Sequence, residues 1–284
     1  MQYFSHFGAT FAIELLPYSP GMPFIARGGA KIHYTDSGGS GPAIVLGHSI
    51  FMDNEMFEPQ KAELSRDHRV IAIDARGHGE SEDDGTPFSY WDLARDAWAV
   101  ADHLDLDRVV VGGVGHGAFT AVRMALLARP RVRGLIVCGS TATAMTAQRR
   151  AGYREVFEAW IGTEWPTPTI KMVSALMIGG TMSDQLPWRA KWLAGDRRRI
   201  QLSGECLMNR DSVLPLLGDI IAPALVLRGL GDQTASEEDA LEIAGGFATP
   251  TVVHTIAGAA MAPNLTHADE FNALLRGYLT DLPD

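Results

Sequence analysis

The sequence predicts an α/β protein built on a mostly parallel sheet of about eight strands, covered by helices on both faces. Short apolar runs such as AIVLG (43–47), RVIAI (69–73) and RVVVGG (108–113) are continuous rather than alternating, which is typical of buried parallel strands. Longer amphipathic stretches of helical period lie between them, as in YWDLARDAWAVADH (90–103).

The order of these elements divides the chain into three parts. The stretch FIARGGAKIHYTDSG (24–38) predicts a hairpin, buried strands follow it, and PALVLRG and TVVHTIAG supply two late strands. Between Thr141 and Leu214 the strand pattern stops, and a helical region rich in Met and Trp takes its place. We therefore expect an N-terminal arm at 1–22, a core at 23–140 and 215–284, and a helical cap at 141–214 over the carboxyl edge of the sheet.

Charge and cysteine content limit the expected partners. The formal net charge is −10, and an acidic surface repels phosphate backbones and anionic lipid, so we expect neither a nucleic acid nor a membrane partner. No apolar run has the length of a membrane span and the N-terminus lacks a basic leader, which favours a cytoplasmic location. Cys138 and Cys206 do not suggest a disulfide. Abundant Arg, Ala and Gly suggest a GC-rich bacterial genome.

Five motifs follow the predicted strands in sequence. They are LGHSIFMDNEMFEPQ, IDARGHGES, VVVGGVGHGAF, LRGLGDQT and IAGAAMAPNLTHADEF. In this order and spacing they resemble the α/β-hydrolase superfamily, specifically its cap-bearing esterases, lactonases, C–C hydrolases and haloperoxidase-like enzymes. The resemblance covers roughly residues 23–281 and implies an α/β-hydrolase fold with an eight-stranded, mostly parallel sheet and a helical cap insertion.

The resemblance also implies a catalytic triad, but two of its positions carry unexpected residues. The family's G-x-S-x-G matches GVGHG (113–117), so that Gly115 stands where the nucleophilic Ser is expected. The acid position is filled by Asp232. The family's His is matched by Met261 in GAAM (258–261), and a thioether is not a base at neutral pH. The sequence therefore predicts a degenerate triad without acyl-enzyme chemistry.

The oxyanion hole implied by the resemblance consists of backbone amides, which side-chain replacement does not remove. Its donors correspond to the amides of Ile50 and His116. His116 is also a predicted catalytic position, with packing as the alternative. Further substrate-binding candidates are His48, Ser49, Trp160 and Met177; for Ser49 the alternative is a loop-capping hydroxyl, and for the last two it is packing within the cap.

Asp232 is the predicted proton carrier. A buried carboxyl without its His partner would have a raised pKa and could act as a general acid or base. The alternative is that Asp232 only accepts a bond from a nearby backbone amide.

Three hypotheses for function remain open. The first is a non-hydrolytic enzyme of lyase, isomerase, cyclase or decarboxylase type, acting on an apolar carbonyl-bearing small molecule in bacterial secondary metabolism. The second is a catalytically inactive small-molecule-binding protein. The third is residual hydrolysis, with water activated by Asp232 or His116, or an engineered inactive hydrolase. No metal cluster, phosphate loop or dinucleotide fingerprint is present in the sequence, so we expect no cofactor and no metal. Association into a homodimer is left open.

Overall fold

A single eight-stranded sheet forms the centre of the protein in a computed structural model that describes residues 23–162 and 166–283. The strands are β1 (Phe24–Arg27), β2 (Ala30–Asp36), β3 (Ala43–Gly47), β4 (Arg69–Ile73), β5 (Val109–Val114), β6 (Val132–Cys138), β7 (Ala224–Gly229) and β8 (Val253–Ile256). Their order is β1-β2-β4-β3-β5-β6-β7-β8, and only the β1–β2 and β2–β4 pairings are antiparallel. The predicted hairpin and the predicted α/β-hydrolase fold are confirmed.

Helices follow most of the strands. They are α1 (Glu58–Leu64), α2 (Tyr90–His103), α3 (His116–Leu127), α4 (Ala147–Gly162), α5 (Thr167–Met177), α6 (Met182–Ala194), α7 (Gln201–Met208), α8 (Glu237–Gly246), α9 (Pro263–Thr266) and α10 (Ala268–Thr280). Short 3-10 turns precede α1, β6, α7 and β7. The helix α2 begins at a capping box, in which the side chains of Ser89 and Asp92 bond to each other's backbone amides.

Each face of the sheet is covered by its own apolar core, which explains the continuous apolar strands. In β5, Val110 and Val114 contribute to one cluster with side chains of α1, α10 and α4–α7. Val109 and Val111 contribute to the other cluster, with α2, α3 and α8. Because successive side chains of a strand point to opposite faces, a strand covered on both sides must be apolar throughout.

The helices α4–α7 lie between β6 and β7, within the region that the sequence assigns to a cap. The boundaries at 141 and 214 stay a prediction, and the predicted arm at 1–22 lies outside the described residues. No helix in the described part of the chain is both long and apolar enough to cross a membrane.

Candidate active site

The sharp turn between β5 and α3 forms the centre of the candidate site. Gly115 stands at this turn with φ 53° and ψ −108°, a conformation that L side chains rarely adopt. The turn is fixed on both sides, because the Gly115 N–H donates to the Cys138 carbonyl at 2.8 Å and the Phe119 N–H donates to the Gly115 carbonyl at 3.0 Å. A side chain at this position would be held at the carboxyl edge of the sheet.

The glycines on either side of the turn are required by close packing. A Cβ added at Gly117 would lie 1.8 Å from the Gly47 carbonyl oxygen, and one added at Gly113 would lie 2.5 Å from the same oxygen. Real Cβ atoms do not tolerate such distances to backbone. These two glycines therefore allow α3 to pack directly against β3. The sharp strand-to-helix turn at Gly115, called the elbow below, requires this close packing.

Three loops at the carboxyl edge of the sheet meet at Gly115. A Cβ added there would lie 2.9 Å from Ser49 Oγ, in the loop after β3, and 3.5 Å from Met261 Sδ, in the loop after β8. The Ser49 hydroxyl and the Met261 sulfur are themselves 3.7 Å apart, and both residues are buried. The side chain nearest to the elbow on the β8 side is thus a thioether.

Asp232 follows β7 and lies near Gly139 and Met261. A Cβ added at Gly139 would lie 3.1 Å from Asp232 Oδ2 and 3.2 Å from Met261 Cγ. Asp232 Oδ1 accepts the Thr234 N–H at 2.7 Å and the Thr234 hydroxyl at 2.8 Å, with the Ala235 N–H at 3.3 Å. Oδ2 is buried and has no hydrogen-bond partner in the described part of the chain. Burial raises the pKa of Asp232, and the bonds from Thr234 and Ala235 oppose that rise.

The amides of Ile50 and His116 lie on the two loops that flank Gly115. Within residues 23–162 and 166–283, neither of these N–H groups donates to a protein acceptor. Ile50, Gly115 and His116 line one cavity, so both donors are at a site that a ligand can reach. Unpaired, buried amides of this kind are costly unless a ligand or water accepts from them.

The cavity lies between the carboxyl edge of the sheet and the helices α4, α5 and α7, and it is narrow: about 30 Å³ of it is open to the centre of a water-sized sphere. Six of the residues singled out from the sequence line it: Ser49, Ile50, Gly115, His116, Met177 and Met261. Asp232, His48 and Trp160 do not line it. The sequence did not indicate that Arg149, Tyr153 and Arg210 also line it. Nothing in the sequence around them indicated that these three residues would line the cavity.

Three buried imidazoles lie behind the elbow. The ring centroids of His48 and His78 are 4.8 Å apart, and those of His78 and His116 are 5.6 Å apart. His48 accepts the Ala75 N–H on Nε2 at 2.9 Å, so its Nδ1 is the protonated nitrogen and donates to the Ser49 carbonyl at 2.8 Å. His48 thereby positions the loop that carries Ser49.

His116 is a neutral side chain at the cavity wall. Its Nδ1 shares a 2.7 Å hydrogen bond with the Tyr90 hydroxyl, and its buried Nε2 has no partner in the described part of the chain. Burial, and then the neighbouring His78 and His48, lower the pKa of His116 well below its usual range.

Trp160 acts on the loop after β3 rather than on the cavity. Phe51 has φ 69°, and its ring centroid lies 4.5 Å from that of Trp160 and 5.1 Å from that of Phe157. The Trp192 indole N–H donates to the Phe51 carbonyl at 2.5 Å. Side chains of α4 and α6 thus hold the residue that follows Ile50.

The known proteins to which the chain is similar have related descriptions. Residues 42–164 match the family described as alpha/beta hydrolase fold. The chain is 28% identical over 266 residues to a pimeloyl-[acyl-carrier protein] methyl ester esterase of Xylella fastidiosa, covering 88% of this chain and 100% of the relative. It is 25% identical to 3-oxoadipate enol-lactonase 2 of Acinetobacter baylyi, covering 81% of this chain and 84% of the relative.

A solved structure agrees with these relatives. The enol-lactonase from Burkholderia xenovorans LB400 superposes with a TM-score of 0.80 at 26% identity, covering 91% of this chain and 100% of that one. The fold and the elbow at Gly115 define an α/β-hydrolase scaffold. The chain has the α/β-hydrolase fold, and the relatives to which it is similar are an esterase and enol-lactonases.

Proposed function

We propose that this chain is a small-molecule enzyme of the superfamily that does not use a serine nucleophile. The observation that carries the proposal is the 3.5 Å between a Cβ added at Gly115 and Met261 Sδ. We assign Gly115 to the family's Ser position and Met261 to its His position. Acyl-enzyme chemistry needs a nucleophile and an adjacent base, and the elbow offers neither.

The reaction we propose is of lyase, isomerase, cyclase or decarboxylase type on an apolar molecule that carries a carbonyl group. The unpaired amides of Ile50 and His116 would hold the carbonyl oxygen and stabilise the negative charge of an enolate. The similarity to an esterase and an enol-lactonase supports a carbonyl-bearing substrate. The setting we propose is bacterial secondary metabolism, in the cytoplasm, with residues 141–214 acting as the cap.

Asp232 and His116 are the proposed proton carriers, and their placement gives them different access. His116 lines the cavity, but its lowered pKa makes it a weak base. Asp232 has the raised pKa that suits proton transfer, but it does not line the cavity, and its free Oδ2 lies beside Gly139, which does. A proton from Asp232 therefore reaches a ligand only through a water or a movement of the residues around Gly139.

The test of the missing nucleophile is chemical labelling. The protein is incubated with a serine-directed fluorophosphonate and with p-nitrophenyl acetate, and its intact mass is measured. We expect no adduct and background ester hydrolysis, because no activated hydroxyl stands at the elbow. Stoichiometric labelling of Ser49, the one hydroxyl beside Gly115 in the described site, would overturn the proposal in favour of residual hydrolysis.

A second candidate is a binding protein that has retained the cavity and lost the chemistry. The observation that favours it is that Asp232, the carboxyl at the acid position, is not itself among the residues that line the cavity. Compounds made by enzymes encoded beside this gene are the test set, with binding measured by calorimetry and turnover by mass spectrometry. Turnover that Asp232→Asn or His116→Ala abolishes with little change in affinity supports the enzyme. Tight binding without any turnover supports the binding protein.

A further inference from the structure

Arg210, just after α7, is a buried arginine whose charge no carboxylate neutralises. Its side chain lines the cavity, and the residue is only 6% exposed. Nε donates to the Thr143 carbonyl at 3.1 Å and Nη1 donates to the Leu207 carbonyl at 3.2 Å. Within the described ranges of the chain, no Asp or Glu forms an ion pair with it. Buried charges in proteins are ordinarily paired, so an unpaired one requires an explanation.

Two acidic side chains in this region are paired with other arginines, and Asp232 accepts from Thr234 and Ala235. Asp211 pairs with Arg123 at 2.6 Å, and Asp239 pairs with Arg149 at 3.2 Å. Burial lowers the pKa of Arg210, as do the charges of Arg149 and Arg123, but a guanidinium remains protonated at neutral pH. Of Arg123, Arg149 and Arg210, only Arg210 is therefore without an ion-pair partner among the described residues.

Two neutral hydrogen-bonding groups line the same cavity. Ser140 Oγ is buried and has no partner in the described part of the chain. The Tyr153 hydroxyl likewise bonds to no described residue, and burial raises the pKa of Tyr153, so it stays protonated and can donate. Together with Arg210 they form a set of donors that lacks an acceptor.

We propose that the cavity takes a small-molecule carboxylate, anchored by Arg210 with Tyr153 and Ser140 as further donors. A planar guanidinium matches a carboxylate, and one uncompensated positive charge matches one negative charge. The proposal uses the cavity of the proposed function and adds the substrate class: an apolar carbonyl compound that also bears an acid. The acid end would lie at Arg210, and the carbonyl would lie at the amides of Ile50 and His116.

The position of Arg210 also indicates how such a ligand enters. Besides the inner cavity, Arg210 lines an open surface groove with Tyr90, Trp91 and Cys206. Its side chain lies at the boundary between the groove and the cavity. Glu205 and Asp211 line the same groove, and Asp211 is neutralised by Arg123, so a carboxylate that enters this way would pass Glu205 before it meets Arg210.

The experiment compares an acid with its uncharged isostere. The probes are 4-oxo-4-phenylbutanoate and 4-oxo-4-phenylbutanamide, and their dissociation constants are measured by calorimetry at fixed ionic strength. We expect the unmodified protein to bind the acid about ten-fold or more tightly than the amide, which corresponds to one charge-assisted contact. R210Q should abolish this preference, R210K should retain part of it, and Y153F should reduce it.

The matched control is R133Q, which removes a half-buried arginine of β6 that does not line the cavity and should leave both affinities unchanged. If R210Q does not fold, the ratios for R210K and for Y153F with S140A decide, because each should fall below that of the unmodified protein. Equal binding of acid and amide, no binding of the acid up to about 10 mM, or an acid preference that survives these changes would overturn the proposal. Binding is measured without turnover, so labelling of Ser49 would overturn the proposed mechanism and leave this inference standing.

Discussion

The indole N–H of Trp192 donates to the carbonyl oxygen of Phe51, and this bond joins helix α6 to the loop after β3. Phe51 has a positive φ of 69°, which a bulky residue adopts only when its surroundings hold it there. The rings of Trp160 and Phe157 supply the rest of that support. The orientation of the peptide that follows Ile50 therefore depends on the helical insert as well as on the sheet.

Removing this bond should weaken both the fold and the site. Trp192→Phe keeps most of the apolar contact but leaves the buried Phe51 carbonyl without its donor, so we expect a loss of about 1–2 kcal/mol in the free energy of unfolding. Urea denaturation measures it, and Trp188→Phe is the control, since that indole forms no hydrogen bond with the described residues. A Trp192→Phe protein as stable as the control would show that the bond does not hold the loop.

Hydrolysis should require three changes rather than one. Gly115→Ser lacks a base, Met261→His lacks a nucleophile, and a Cβ at residue 115 would lie 2.9 Å from Ser49 Oγ. Ser49→Gly removes that contact. We expect each single variant to stay at background, and the triple variant to hydrolyse p-nitrophenyl acetate measurably, because triad members act as a unit and the backbone donors are unchanged.

The same variants test the triad assignment. If Gly115→Ser alone hydrolyses the ester as well as the triple variant, another residue serves as base and Met261 is not at the His position. If the triple variant folds and is inactive, the amides of Ile50 and His116 do not form the oxyanion site.

Two glycine substitutions should have opposite effects on stability. In Gly117→Ala the new Cβ would meet the Gly47 carbonyl oxygen at 1.8 Å, which forces α3 away from β3. We expect a loss of about 3 kcal/mol or more. In Gly152→Ala, inside α4, no atom lies within 4 Å of the new Cβ, so we expect a gain of about 0.5–1 kcal/mol. Thermal and urea unfolding of both variants provide the measurement.

The effect of Asp232→Asn on the free energy of unfolding should become more stabilising as the pH rises. The pKa of the folded state lies above the ordinary value of 3.8, so the folded protein keeps this proton to a higher pH than the unfolded chain does. The contribution of Asp232 to stability therefore falls as the pH rises from about 4 through the folded pKa. Relative to the unmodified protein, the variant's free energy of unfolding should increase from about pH 4 to about pH 7. A difference that is independent of pH would contradict the raised pKa.

Asp74→Asn provides the opposite case. Although burial opposes it, hydrogen bonds from His33 and Asn54 lower the pKa of Asp74 to about 2. That stabilisation is complete above pH 3.8 and disappears as the pH falls through 2. We expect the variant to lose about 2 kcal/mol at neutral pH and less at about pH 3. A loss as large at low pH would show that packing, not charge, is responsible.

The fold could be predicted because its signals are local. Continuous apolar strands, the helices between them and the glycines at 113 and 117 follow from neighbouring residues and from the steric needs of one turn. Most of the cavity-lining residues that were predicted are contained in a motif, as for Ile50, Gly115, His116 and Met261, and Met177 of α5 was predicted without one. Trp160 was predicted as a substrate contact, but it reaches the site through Phe51.

The sequence by itself determined the order of the strands along the chain and which residues follow each one. Backbone preference and the alternation of side chains are properties of a short stretch of chain. Only the tertiary structure decided that Asp232 Oδ2 is buried beside Gly139, and that Arg210 lines the cavity with no carboxylate partner among the described residues. Burial and charge pairing depend on groups far apart in the chain coming within a few ångströms, and no local pattern encodes that approach.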